Sequence, residues 1–195
     1  MRTKLKNKYF ILRHGETIHQ IKKPEIVYFW PEDKPPATLT RRGRKQIEKR
    51  TKQLKNKAID LIFSSDILRT CQTADIVAKE LGLEINFDKR LRDINWGVLQ
   101  GKPGKEAWAY YQNMEERFKK APQKGESWLD CQRRVADFIK EVDKKYNKKK
   151  TILIISHGDP LWLLDSWVRK LSQKEMLKER KPGCPIKIAD LKNLN

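Results

Sequence analysis

Apolar residues recur along the chain in two rhythms. Short continuous runs at Tyr9–Leu12, Ile59–Phe63 and Thr151–Ile155, with a weaker one at Glu84–Phe87, predict buried strands. Between them the spacing lengthens to that of helices. Over Asp66–Leu81 the residues Ile67, Cys71, Ala74, Ala78 and Leu81 form one stripe, closed by Gly82 as a C-cap. Over Ser127–Tyr146 the stripe is Cys131, Val135, Phe138, Val142 and Tyr146, and Ser127 with Asp130 reads as a capping pair. Thr40–Lys57 carries only Ile47 and Leu54 on a thin stripe, and nine of its eighteen residues are Lys or Arg, so it belongs at the surface. Strands alternating with helices predict an α/β domain with a mostly parallel sheet. Ile21–Leu39, with four prolines, reads as a long loop of the kind that serves function. Arg90–Gly104, with three glycines and Pro103, reads as a second irregular stretch. No repeat or linker divides the 195 residues, so they read as one domain, 1–195.

Composition narrows the class. A hydrophobic share of 38% can fill a core, and no apolar run approaches the roughly 20 residues of a membrane span. Tyr9–Leu12 is too short for the core of a signal peptide. Three cysteines without a CxxC pair argue against a disulfide scaffold and a zinc site, and fit a reducing cytoplasm. The excess of 44 basic over 25 acidic residues leaves a net charge of +19. That charge fits nucleic acid, an acidic membrane face, phosphorylated small molecules, or a lysine-rich composition with no partner behind it. Charge alone does not choose among them.

The chemistry gathers at strand ends. Two strands run directly into His-Gly: Phe10-Ile11-Leu12-Arg13-His14-Gly15 and Leu153-Ile154-Ile155-Ser156-His157-Gly158. In parallel sheets ligands bind at the carboxyl ends of strands, and a glycine there lets backbone approach a ligand closely. Of three histidines in the chain, two hold this position. A third strand ends in Ser64-Ser65, and Arg69 follows in the first turn of the next helix. A cation there opposes the helix dipole by a few tenths of a kcal/mol, which an anion bound beside it would reverse.

Together these segments resemble the histidine phosphatase superfamily, in the branch that includes cofactor-dependent phosphoglycerate mutases. The resemblance rests on Leu12-Arg13-His14-Gly15-Glu16-Thr17, Leu39-Thr40-Arg41-Arg42-Gly43, Ser64 to Ala74, Leu91 to Gly101, Gly125-Glu126-Ser127 and Ser156-His157-Gly158, all in family order. It implies a three-layer α/β/α sandwich. It also implies that His14 is the nucleophile and Asp93 the acid. Arg13, Thr17, Gln20, Arg69, His157 and Gly158 would then hold the phosphoryl group. Such chemistry needs no metal or cofactor. The chain departs from the family pattern at three places. Asp93 stands where most relatives have Glu, shortening the reach by about 1.5 Å. Gln20 replaces a frequent Asn. Asp159-Pro160 follows the second His-Gly, where Asp159 faces away, offers a second candidate acid or, as the favoured reading, caps the next helix with Pro160 first in it.

Phosphoglycerate mutases of this type carry a long insert before the Gly-Glu-Ser motif. Here 101–125 leaves room for a short lid with one helix, Ala107–Lys119. A small lid admits water, so the expectation is a phosphatase acting on a small phosphorylated metabolite through a phosphohistidine. Sugar phosphates, phosphoglycerate, nucleotides and nucleotide-loop intermediates of cobalamin assembly are the candidate substrates. The alternatives are mutase-type phosphoryl transfer and, in a different class, a basic nucleic-acid binding module. No specific nucleic acid and no membrane are expected as partners, and oligomeric state is left open.

Overall fold

The four apolar runs become strands: β1 (Lys8–Arg13), β2 (Leu61–Ser64), β3 (Ile85–Phe87) and β4 (Thr151–Ser156). A fifth, β5 (Leu191–Asn193), had no signal in the sequence pattern. The helices are α1 (Ile18–Ile21), α2 (Arg41–Lys55), α3 (Leu68–Leu81), α4 (Gly104–Ala109), α5 (Trp128–Lys145), α6 (Gly158–Arg169) and α7 (Gln173–Arg180). This computed structural model describes residues 3–21, 26–27, 36–146, 149–180 and 183–195. Most of the proline-rich loop expected at 21–39 lies outside them. No helix among the described residues is long and apolar enough to cross a membrane.

The sheet runs β3-β2-β4-β1-β5, with the first four strands parallel and β5 antiparallel to β1. Side chains alternate across a sheet, so each apolar run feeds two layers. Tyr9, Ile11, Ile152 and Ile154 pack with α5 and α6, while Phe10, Leu12, Leu153 and Ile155 pack with α2 and α3. Both faces are covered, which is why these strands read as unbroken apolar runs. The expected three-layer α/β/α sandwich is the observed fold.

Several local expectations need correction. α3 starts at Leu68 rather than Asp66, because both carboxylate oxygens of Asp66 accept from Arg92 at 2.6 Å and Ile67 takes the cap position. α6 starts at Gly158 with His157 at its N-cap, so Asp159 does not cap it and Pro160 is third, not first. The single helix expected over 107–119 is α4 followed by a 3-10 turn at Glu115–Phe118. Asn113 Oδ1 accepts from the N–H groups of Glu115 and Glu116 (3.0 and 3.1 Å), and such side-chain bonds compete with a continuous helix. By contrast, the capping pair of Ser127 and Asp130 forms as expected.

Gly15 has a steric reason besides the one its motif suggests. A Cβ there would lie 2.6 Å from the carbonyl oxygen of Gly43, and one on Gly43 would lie 2.1 Å from that of Glu16. The two glycines exist for each other, letting the loop after β1 press against the first turn of α2. Gly43→Ala should therefore destabilise the protein by on the order of 3 kcal/mol or more, since backbone meets backbone. A thermal or urea melt within about 1 kcal/mol of wild type would show that the loop relaxes freely.

Topology then assembles the site. β1 and β4 are neighbours with Arg13 opposite Ser156, and β2 flanks β4 with Ser64 opposite Ile155. His14, Ser65 and His157 each follow one residue later, at one edge of the sheet.

Candidate active site

His14 is 1% exposed, and its Nδ1 lies 2.8 Å from the carbonyl oxygen of Gly15. A carbonyl only accepts, so Nδ1 carries the proton and Nε2 keeps its lone pair. The ring stands edge-on to that of His157, with centroids 5.3 Å apart. Burial, then the charge of Arg69, then His157 and Arg13, hold His14 well below the ordinary histidine range. His157 is fully buried and lowered likewise, by burial first and then by Arg69, Arg13 and Arg134. Its Nδ1 accepts from Arg69 Nε at 3.1 Å and its Nε2 lies 2.9 Å from Ser65 Oγ. Both imidazoles are thus neutral.

Arg69 is fully buried, and its Nη2 donates to Asp93 Oδ2 at 2.8 Å. The same Asp93 oxygen is 3.5 Å from His157 Nδ1. A carboxylate therefore already sits on the Arg69 guanidinium at the head of α3. The misplaced charge of Arg69 has its explanation: it faces an anion. Arg13 is half-buried, with Nη1 donating to the carbonyl oxygen of Ile186 at 2.7 Å. Gly158 makes room for it, because a Cβ there would meet the Arg13 guanidinium at 3.0 Å. Five of the expected site residues thus converge: Arg13, His14, Arg69, Asp93 and His157, with Gly158 beside them. Thr17 and Gln20 do not join the group directly. Gln20 Oε1 accepts from the Thr17 backbone at 2.9 Å and its hydroxyl at 3.3 Å, fastening the turn that follows β1.

A cavity of about 570 Å³ opens beside these groups, lined by Arg13, Asp93 and Gly158 from the expected set and by Trp96, Trp108 and Asp159 from the surroundings. Among the described residues no group of three His, Cys, Asp or Glu side chains could hold a metal ion.

The sequence profile of the histidine phosphatase superfamily (branch 1) matches residues 9–193. The chain belongs to that superfamily. It is an enzyme of the histidine phosphatase type. A probable phosphoglycerate mutase GpmB of Proteus mirabilis is 28% identical over 194 residues, covering 94% of this chain and 85% of that protein. Phosphoserine phosphatase 1 of Hydrogenobacter thermophilus is 30% identical over 128 residues, covering 63% of this chain and 60% of that one. Among solved structures, a mycobacterial glucosyl-3-phosphoglycerate phosphatase in complex with VO3 has a TM-score of 0.78 at 22% identity, covering 95% of this chain and 89% of its own. The α-ribazole phosphatase of Shigella flexneri has a TM-score of 0.74 at 23% identity, covering 88% and 84%. Both structures share the fold.

Within this superfamily frame, several residues around the site escaped the sequence reading. Arg134 donates to the carbonyl oxygens of Arg90 and Asp93 (2.6 and 2.9 Å) and pairs with Glu126, which also accepts from the Asn95 N–H. The Gly-Glu-Ser motif thus pins the loop that carries Asp93. Its glutamate was a signal for that partnership, but Arg134 looked like any polar position of α5. Arg117 is 2% exposed, with its guanidinium 4.3 to 4.5 Å from the rings of Trp128, Trp108 and Trp96. Burial pulls its pKa down to about 10, against the opposing charge of Asp159. It remains a cation and staples the 101–125 segment by cation–π contacts.

The lowered histidines make a stability prediction. An unfolded histidine binds its proton near pH 6.5, while His14 and His157 in the fold do not. The unfolded state therefore takes up more protons as pH falls below that value, and stability is lost there. Two such groups give a slope of about 2.7 kcal/mol per pH unit once the unfolded histidines are charged. Urea unfolding at pH 7, 6 and 5 should show this decline, and a flat profile would mean that the two rings are solvated.

Proposed function

We propose that the protein hydrolyses phosphomonoesters of small metabolites, without a metal, through a phosphohistidine on His14. The observation that carries this reading is the neutral, buried His14, oriented by Gly15 and set among Arg13, Arg69 and His157. Nε2 attacks phosphorus, the P–O ester bond breaks, and the leaving oxygen takes a proton from Asp93. Arg13 and Arg69 stabilise the charge spread over the phosphoryl oxygens, the planar fork of each suiting paired oxygens. The incoming phosphate displaces the Asp93 carboxylate from Arg69. Asp93 enters this step in its acid form and leaves it as the carboxylate. Water then attacks the phosphohistidine, gives its proton to Asp93, and inorganic phosphate leaves with His14 restored.

Hydrolysis is favoured over return of the phosphoryl group by the short cover of the cavity. The 101–125 segment holds only α4 and one 3-10 turn, and Trp108 and Met114 at the cavity are 40% and 37% exposed. Water reaches such a site. Mutase-type transfer is the second reading, and the name of the Proteus relative favours it. Phosphorus NMR of the protein with 3-phosphoglycerate and with α-ribazole phosphate separates the two. Inorganic phosphate should accumulate from at least one, whereas a new phosphate ester without free phosphate would establish the mutase. The three cysteines are unpaired, which fits the reducing cytoplasm expected for an enzyme of soluble metabolites.

A further inference from the structure

The cavity extends beyond the groups that would handle the transferred phosphate. Arg180, the last residue of α7, lines it together with Met114. The same two residues line a second, neighbouring cavity of about 330 Å³ that none of the expected site residues touches. They therefore mark the side of the main cavity away from the chemistry.

Arg180 is 7% exposed and held on three sides. Its Nη2 donates to Asp159 Oδ1 at 2.9 Å, and its guanidinium lies 4.8 Å and 4.7 Å from the rings of Trp128 and Trp162. The remaining terminal nitrogen, Nη1, is buried with no hydrogen-bond partner among the described residues. A buried donor left unsatisfied is costly, so Nη1 calls for a partner that the described residues do not supply. The charge balance points the same way. Asp159 also lies 3.6 Å from Arg117, so two cations share one carboxylate and the corner stays net positive. Arginine of this kind, locked in orientation beside a cavity with one terminal nitrogen unpartnered, suits an oxyanion. Trp96 and Trp108 line the same cavity as Arg180 and Asp93 and offer an apolar wall for a carbon skeleton.

We propose that Arg180 sets substrate specificity by binding a second oxyanion, a carboxylate or a phosphate, on the leaving group of the phosphomonoester. The proposal rests on the phosphatase reading above. Asp159 is the positioning residue that holds Arg180, which is also why Asp159 is poorly placed to be the acid.

Substrates matched in skeleton test it. One pair is 3-phosphoglycerate and glycerol 3-phosphate, which differ by a carboxylate. The other is fructose 1,6-bisphosphate and fructose 6-phosphate, which differ by a phosphate. The wild type should prefer the anionic member of at least one pair by about 10-fold or more in kcat/KM, and the pair that shows it names the oxyanion. Arg180→Gln should remove that preference, chiefly through KM, while p-nitrophenyl phosphate and the members without a second oxyanion stay within about threefold. Arg180→Lys, which keeps the charge, should fall between, and serves if the Gln variant does not fold. Equal wild-type rates within both pairs would overturn the proposal, as would uniform losses in the variants, which would leave Arg180 as a tie between helices. If the wild type fails even on p-nitrophenyl phosphate, the phosphatase reading falls first and the proposal with it.

Discussion

Replacing His14 with alanine should lower kcat by on the order of 10⁴-fold or more, because the variant has no atom on which to form the phosphoryl intermediate. The neighbouring cations Arg13, Arg69 and the imidazole of His157 remain, so phosphate esters should still bind, with KM changed far less than kcat. The fold should hold, since the lost ring makes a single hydrogen bond, to the Gly15 carbonyl at 2.8 Å, and its removal ends the cost of keeping that buried imidazole neutral at acid pH. A quench of the wild type in alkali, which preserves phosphohistidine, should place phosphate on the His14 peptide. Phosphate on the His157 peptide, or a His14→Ala variant with full turnover, would reverse the roles of the two rings. Their surroundings already differ. Both nitrogens of His157 are engaged, by Arg69 and Ser65, whereas the bond to Gly15 occupies only one nitrogen of His14.

Asp93→Asn should cut turnover of alkyl phosphates by about 10²- to 10⁴-fold while largely sparing p-nitrophenyl phosphate. An alkoxide leaves poorly unless it is protonated as the bond breaks, and nitrophenolate needs little help. The ion pair with Arg69 at 2.8 Å adds a second signature. Asparagine can still accept from that guanidinium but brings no charge to it, so it competes more weakly and KM for both substrates should hold or fall even as kcat drops on the alkyl ester. Equal losses on the two substrates would make Asp93 a residue that orients Arg69 rather than an acid. Selective loss in Asp159→Asn instead would move the proton donor to the loop after His157, against its ties to Arg180, Arg117 and Trp128.

Much of this protein was legible before any coordinates. Apolar runs at Tyr9–Leu12 and Thr151–Ile155 become central strands because a strand buried on both faces cannot alternate, and that signature is local. The His-Gly pairs and the Arg69 motif were readable for the same reason: each lies within a few residues of its own strand end. Capping at Ser127 was equally local, since a cap bond spans three residues. What tertiary structure alone decided were relations between distant positions. Gly15 and Gly43 are tied to each other across 28 residues of chain, by a backbone contact that leaves no room for a Cβ on either. β5 is a three-residue edge strand whose pairing with β1 overrides a weak pattern. Asp159 could have capped its helix, but Arg180, Arg117 and Trp128 reach it from other elements and claim its carboxylate. Arg117 and Arg180 look like ordinary surface charges in the sequence, because nothing in a charged residue's neighbours along the chain reports the tryptophans that will enclose it. Local bonding rules are written in the sequence at short range; burial, and the partners that burial demands, exist only once the layers close.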